Sequence, residues 1–487
     1  MTESDRAQPP GLRVVGLGEP QMLADDHLIE NRFDANMSSA NVPHVYHAPH
    51  RRIEPVIVAD KPWEQGFGLL YPGALYDPHV DRTRIYYTLN KTDPGPAHYP
   101  VGHYFVALAE SVDGFAFEKP EFGLHGWGDM TQTNIVMTGD NEAHTAHVHV
   151  AGGASTNPGT LPARFLKQHR YAMYFGDFGS WIATSEDGVH WHKDQQVIKN
   201  RIDCYQTMSY DESQDELVSY VRNKLIFGSP RKFPEDHWGN TRAISHLSAP
   251  DWWRTWDQMP TSVLLPDAGD GHRFYGLPCF RYGGVSWGFL HHLYEDPQTM
   301  DVELVFSRDG HDWKRAPREE RLLPLGDDGC WDGGMILSSD RVVEAGDEWR
   351  IYYSGHPSPH DTPDQLGSIG VAILRKEGFV SVRARTLDSY VLTRPLSWPG
   401  GHLAINAVAE GSVQVRVTDL QRATIDGFAF DDCVPFTGDS LRHKIRWREK
   451  DLSSLAGLQI RLEFKFRQAD LFSFVAQDLA EHREGPA

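Results

Sequence analysis

Three seven-residue segments of this chain fall in one frame: SVDGFAF from Ser111 to Phe117, SEDGVHW from Ser185 to Trp191, and SRDGHDW from Ser307 to Trp313. A fourth, SAPDWWRTW from Ser248 to Trp256, reads as a degenerate copy with an insertion. In each clean copy Asp-Gly supplies the positive-φ turn of a hairpin, the serine hydroxyl can bond backbone amides, and the closing aromatic covers the turn. One such turn means little, but recurrence in a fixed frame requires a repeated structural unit.

The segments RIYYTL (84–89), RYAMYFG (170–176), ELVSYVR (216–222) and WRIYYSG (349–355) are β-branched and aromatic runs that recur at matching places. Long helical periodicity with caps is almost absent between residues 50 and 380. Four-stranded repeats of this kind predict a β-propeller, and unit starts near Leu75, Asn134, Asp203, Tyr275 and Asp332 give five blades. After about residue 385 the pattern changes: GSVQVRV (411–417) and QIRLEFKF (459–466) alternate strictly, as strands with one solvated face do. The expected fold is therefore all-β, a five-bladed β-propeller followed by a C-terminal β-sandwich. The expected boundaries are 1–385 for the propeller with its N-terminal extension, 386–476 for the sandwich and 477–487 for a tail.

Composition narrows the function classes. The 487 residues include 67 acidic against 47 basic side chains, a net charge of −20, which disfavours nucleic-acid and anionic-membrane partners. Four scattered cysteines, Cys204, Cys279, Cys330 and Cys433, form no CxxC pair and are expected to be reduced thiols. The N-terminus lacks the layout of a signal peptide, and the expected location is cytoplasmic.

In a propeller the innermost strand of each blade runs along the central axis, so residues near strand starts converge at one mouth although they lie far apart in sequence. This places Asp203, Asp332, Asn134 and Tyr275 near a common funnel. Trp63 and Glu64 of KPWEQG and Asp26 of LADDHLIEN are further candidates. In GCWDGGMI the glycines after Asp332 are expected to keep bulk off the funnel wall, and Trp331 offers a face on which a sugar ring can stack. Of 25 histidines, His44, His47 and His50, then His144, His147 and His149, are clustered. Prolines 357 and 359 separate His356 from His360 and exclude a two-ligand helical zinc motif there. No metal or cofactor is expected.

The order of LADDHLIE, DKPWE, the repeated SxDG hairpins, RFYGLP, WDGGMI and DDCVPFTGDSLRHKIRW resembles bacterial five-bladed-propeller proteins related to glycoside hydrolase families 32 and 43, with a C-terminal β-sandwich. The resemblance runs from about Leu23 to Phe474, while the WMNDPNG, RDP and EC motifs of invertases are absent. It implies a glycosidase acting on an oligosaccharide or glycoside, with furanosides, fructosyl or arabinosyl, among the candidates. Such cleavage needs one carboxylic acid and a second carboxylate. By the resemblance, Asp26 is the nucleophile or base. Asp203 is assigned as transition-state stabiliser or pKa modulator, and Asp332 or Glu64 as the acid. Gln206, Arg222, Tyr275 and His356, with Trp63, Asn134 and Trp331, are the expected substrate contacts. The alternatives are a glycoside phosphorylase or transglycosylase, with basic residues such as Arg222, Lys224 and Arg242 holding phosphate, and a noncatalytic saccharide-binding propeller.

Overall fold

The computed structural model describes residues 11–478, except 66–67, 91–102, 140–142, 153–157, 177–178, 200–201, 203–204, 225–241, 252, 257–258, 271–272, 295, 361, 363–365 and 449. The elements among the described residues are β-strands and 3-10 turns. The chain divides into two compact units, one of residues 48–374 and the other of residues 1–47 with 375–487. The division thus falls at 374/375 where the sequence reading placed it at 385, and the first 47 residues group with the C-terminal segment. The reason is pairing: Ile29–Asp34 is a strand partner of Ser389–Thr393, and His44–Tyr46 of Val380–Ala384.

The unit of residues 48–374 is a succession of antiparallel meanders. Strands Leu70–Asp77, Arg82–Asn90, Tyr104–Ser111 and Ile135–Gly139 form one sheet in chain order. His147–Ala151, Tyr171–Phe175, Ser180–Ser185 and His192–Ile198 form the next, and Gln206–Asp211, Glu216–Lys224, Arg242–Ala249 and Thr261–Leu264 another. A ten-stranded sheet carries the rest: the meander Cys279–Tyr282, Val285–Leu293, Met300–Ser307 and Trp313–Arg315 joins that of Met335–Ser338, Glu348–His356 and Ser368–Arg375 through Met300 and Met335. The early strand His50–Arg51 pairs with the last of these, Ala372 opposite Arg51, so chain ends close the set. This sheet content is consistent with a β-propeller.

The repeat proves to be the fastening between sheets. In every clean copy the serine Oγ accepts the glycine N–H at 2.9 Å and the aspartate Oδ1 accepts the two amides that follow at 2.8 Å. In the degenerate copy Asp251 accepts Trp253 N and Arg254 N in the same way. The glycine carbonyl then receives a tyrosine from the preceding sheet: Tyr86 to Gly188 at 2.9 Å, Tyr220 to Gly310 at 3.1 Å and Tyr352 to Gly114 at 2.8 Å. The last of these links the 335–375 meander back to the 70–139 sheet. The closing aromatics Trp191, Trp313 and Phe117 pack edge-on against those same tyrosines, at 6.1, 5.3 and 5.7 Å between centroids. The loop is longer than a two-residue turn, since pairing stops at Thr184 and resumes at His192. The aromatic therefore covers a neighbouring sheet's hydroxyl donor as well as its own turn.

Glycine is required here twice over. Gly188 has φ of +74°, and a Cβ on it would lie 2.5 Å from Arg84 Nη1 and 2.7 Å from Tyr86 Oη. Gly188→Ala is expected to destabilise the protein by about 1–3 kcal/mol, combining left-handed strain with a displaced hydrogen bond. Urea titration checks this; an unchanged midpoint contradicts the clasp.

In the other unit the two longest strands, His402–Thr418 and Gln459–Gln477, pair along most of their length and shift register near Asn406 and Ala409. The expected alternating segments lie within them. Their apolar faces bury Val413, Val415, Val417, Leu462, Phe464 and Phe466 in one core with Trp398 and Trp447. The strands belong to a single hydrogen-bonded sheet network. Of the expected tail, residues 479–487 lie outside the described residues.

Candidate functional site

Residues 205–209 and 275–279, from neighbouring meanders, run side by side and in step. Thr207 Oγ1 donates to Leu277 O at 2.8 Å, and Ser209 Oγ lies 3.7 Å from Cys279 Sγ. The same offset puts Tyr205 level with Tyr275, ring centroids 6.2 Å apart. Tyr71, near the start of Leu70–Asp77, hydrogen-bonds the Tyr275 hydroxyl at 2.9 Å and packs at a tilt against His144, ring centroids 4.6 Å apart. These tyrosines share a core with Met335, which opens its own strand. Strand starts from separate sheets therefore meet, as the repeat argument requires.

What they bring together is phenol, imidazole and guanidinium. The Tyr275 hydroxyl also contacts His360 Nε2 at 3.0 Å. The Arg222 guanidinium lies 4.2 Å from the centroid of the Tyr275 ring and that of Arg242 5.4 Å, while Arg222 Nη1 donates to the Tyr275 carbonyl at 3.2 Å. Tyr71, Tyr205, Tyr275, Arg222, His144 and His356 are buried, whereas Arg242, His360 and Tyr104 are partly exposed, so the cluster has a buried floor and a partly exposed rim. Backbone strain gathers here too: Tyr71 has φ of +47° and Thr145 of +46°, conformations that side chains other than glycine rarely adopt. Gly73 and Gly276 let the strands approach, since a Cβ would lie 2.4 Å from Ala146 O and 2.2 Å from the Tyr205 ring respectively. Burial, reinforced by the nearby His360, lowers the His356 pKa to about 3 and keeps the ring neutral; neither of its ring nitrogens has a partner among the described residues. Burial likewise raises the Tyr205 phenol well above its ordinary range.

Deeper along the strands His291 lies 5.2 Å from Tyr205, and its Nε2 accepts the Ser338 amide at 3.0 Å. Asp340 is beside Arg341 and 3.6 Å from His147. Burial works against its charged form, but Arg341 and His147 outweigh burial and hold the carboxyl below the usual range. Toward the far ends of the same strands a small cleft, open to solvent, is lined by His149, Ser209, Cys279, Arg281 and Arg341 among others. Its buried guanidinium, Arg341, is already held by Asp340, and burial raises Cys279 to about 12. The tyrosine cluster is the better candidate because its polar groups converge on one another at a partly exposed rim.

The carboxylates chosen from sequence fare differently. Asp203 lies outside the described residues. Asp26 belongs to the unit of residues 1–47 and 375–487, where its exposed side chain accepts Arg32 Nε at 3.1 Å. Asp332 accepts Arg51 Nη1 at 3.1 Å and the Tyr353 hydroxyl at 3.2 Å, so it ties the closing strand to the last meander. The glycines after it serve the chain itself: a Cβ on Gly334 would lie 2.3 Å from the Ser358 carbonyl carbon, and one on Gly333 2.7 Å from Asp327 O. Trp331 stacks on Tyr353 with centroids 5.5 Å apart and donates to Ile53 O, which uses its face for packing.

Glu64, Trp63 and Asn134 are brought together, but in a buried network. Glu64 accepts Tyr87 Oη and Lys119 Nζ at 2.6 Å each and two backbone amides at 3.1 Å. Asn134 donates to Tyr87 Oη at 2.7 Å and accepts Trp63 Nε1 at 2.8 Å. Ile135–Gly139 is the outermost strand of the first sheet, so Asn134 does not open a second inner strand as expected. Inner and outer strands are both buried, and an apolar run cannot tell them apart. Tyr87→Phe is expected to cost about 1–3 kcal/mol, because it strands the Glu64 and Asn134 partners in a buried site; thermal unfolding measures it, and no loss would contradict the network. Gln206 is likewise saturated, donating to the Gly176 and Gly179 carbonyls at 2.8 and 2.9 Å. Arg222, Tyr275 and His356 are the expected contacts found at or beside the cluster. Tyr71, Tyr205, His144 and His360 were missed. The in-frame alignment of TMS (207–209) with LPC (277–279) could have shown Tyr205 and Tyr275 as equivalents.

No protein-family profile matches the chain, and no curated protein matches it. Solved structures do show likeness. An N-acetylgalactosamine deacetylase from F. plautii is 16% identical, with 69% of this chain and 96% of that chain covered and a TM-score of 0.44. A β-1,2-mannobiose phosphorylase from Listeria innocua is 14% identical (68% and 97% covered, TM-score 0.46), and the catalytic domain of a GH62 α-L-arabinofuranosidase from Coprinopsis cinerea is 11% identical (67% and 97%, 0.46).

Proposed function

We propose that this protein is a carbohydrate-active enzyme that cleaves glycosidic bonds by hydrolysis at the mouth formed by Tyr71, Tyr205, Tyr275 and His360. The reading takes residues 48–374 as a propeller of five blades and the other unit as a brace of sandwich type. The observation that carries it is the convergence, from the starts of separate sheets, of hydroxyl, imidazole and guanidinium groups around Tyr275 at a partly open rim. Such groups hydrogen-bond sugar hydroxyls, and tyrosine faces pack on sugar rings. In this reading Asp203, two residues before Tyr205, supplies the carboxylate that attacks the anomeric carbon or activates water. The proton reaches the leaving oxygen through His360 and Tyr275. The sugar is a furanoside of fructosyl or arabinosyl type or a related glycoside.

A panel of aryl glycosides, furanosides included, assayed with and without inorganic phosphate tests this, with Asp203→Asn as control. Aryl release without phosphate, falling at least about 100-fold in the variant, is expected. Release only with phosphate would replace hydrolysis by phosphorolysis. Saccharide binding without turnover of any glycoside would leave a binding protein.

A further inference from the structure

The turn between strands Val285–Leu293 and Met300–Ser307 reaches the mouth. Leu293 and Met300, paired at its base, share the core of Tyr71, Tyr205 and Tyr275. Within the turn Tyr294 N donates to Thr299 O at 2.9 Å, and the Gln298 carbonyl accepts the His360 amide at 2.9 Å. His360 in turn contacts the Tyr275 hydroxyl at 3.0 Å, so Gln298 is one backbone bond away from the rim imidazole.

Glutamine is an unexpected residue for that position. Its φ is +69°, where glycine is free of strain and asparagine or aspartate adapts by bonding nearby backbone. Tyr71, Asp81 and Asp215 share that backbone region, and each uses its side chain within the fold, on the hydroxyls of Tyr275, Tyr76 and Tyr210 respectively. The Gln298 amide makes no such bond: its Oε1 is buried and has no hydrogen-bond partner among the described residues. The bond to His360 needs only backbone, which glycine would supply without strain. Two unfavourable features, a left-handed backbone and an unsatisfied buried acceptor, therefore meet at one partly exposed side chain. An amide both donates and accepts, and so does a sugar hydroxyl.

Resting on the glycoside-processing reading above, we propose that Gln298 is a specificity-determining residue of the mouth, whose side-chain amide takes one hydroxyl of the bound sugar beside His360. A ligand hydroxyl donating to Oε1 satisfies the buried acceptor, and a sugar lacking that hydroxyl leaves it unsatisfied, which is how a polar group set in a site rejects a deoxy analogue.

Calorimetric titration of the full chain with L-arabinose, D-fructose, D-glucose and D-galactose, then with monodeoxy analogues of whichever binds tightest, is the test, run beside turnover of the matched aryl glycosides. Gln298→Gly is expected to weaken that sugar about 3- to 10-fold. Its thermal midpoint is expected to stay level or rise, since glycine relieves the backbone. One monodeoxy analogue is expected to bind both proteins alike, as weakly as the parent sugar binds Gln298→Gly. Gln298→Asn, which keeps an amide and tolerates the turn, should recover part of the loss. Equal affinity of wild type and Gln298→Gly for every sugar overturns the proposal. An equal loss for the parent sugar and all its monodeoxy analogues also overturns it, because that marks a structural residue. Gln298-dependent binding without turnover upholds it and fails the hydrolase reading; turnover with affinity and KM untouched by Gln298→Gly does the reverse, and binding of no sugar at all overturns both.

Discussion

Tyr275→Phe is expected to lower kcat/KM on the best glycoside by about 100- to 10,000-fold, the range of a lost general acid-base group. The hydroxyl removed is the one shared by Tyr71 and His360, so the variant severs the path between the rim imidazole and the buried phenol while keeping the ring under Arg222 and Arg242. Loss of two hydrogen bonds costs stability as well, about 1–3 kcal/mol. A purely structural role would show that loss of stability with an unaltered pH profile. The catalytic role predicts that the pH–rate profile changes shape. An unaltered profile with less than a 10-fold fall in kcat/KM would remove Tyr275 from the chemistry.

Arg341→Met is expected to destabilise the fold by about 3–5 kcal/mol, because it leaves Asp340 charged and buried without its guanidinium partner. Asp340 and Arg341 are both almost wholly inaccessible, at 1% and 2% side-chain exposure. The pH dependence has a definite sign. The folded-state pKa of Asp340 is depressed, so its contribution to stability is complete above the unfolded carboxyl pKa, near 3.9, and is lost as pH falls through the folded value. The variant lacks the partner that depresses it, so its deficit is largest at neutral pH and narrows in acid. Asp340→Asn together with Arg341→Met should recover part of the loss. Urea midpoints at pH 7 and pH 4 decide this; a deficit that grows in acid would contradict the pairing.

Much of the fold was legible in the sequence because its repeat is written in residues with few alternatives. Ser, Asp and Gly at 111, 113 and 114, and at the equivalent positions of the other copies, are needed for backbone bonds that other side chains cannot make. The hairpin reading found those bonds, but the clasp between sheets needs the partner tyrosine, which lies 90, 102 or 238 residues away. Alternation in 411–417 and 459–466 showed strands, but pairing of residues 29–34 and 44–46 with the C-terminal segment depends on partners that no local pattern marks. The site was legible in its principle and less so in its members. Acidic residues were chosen because glycosidic cleavage needs them, yet Asp332 and Glu64 are satisfied by Arg51, Lys119 and buried hydroxyls. A carboxylate before a strand reads the same in sequence whether it faces a ligand or an arginine. Tyr71 and His360 sit at the cluster through a strained backbone position and a proline-rich loop, neither of which has a periodic signature.

The central claim, that strand starts converge into one saccharide-processing mouth, is tested most directly by a crystal structure with a bound sugar or product. The account predicts that the sugar ring lies against Tyr275 with its hydroxyls on Tyr71 and His360. A sugar held instead in the cleft of His149 and Arg341, with the Tyr275 mouth filled by the protein's own side chains, would contradict it.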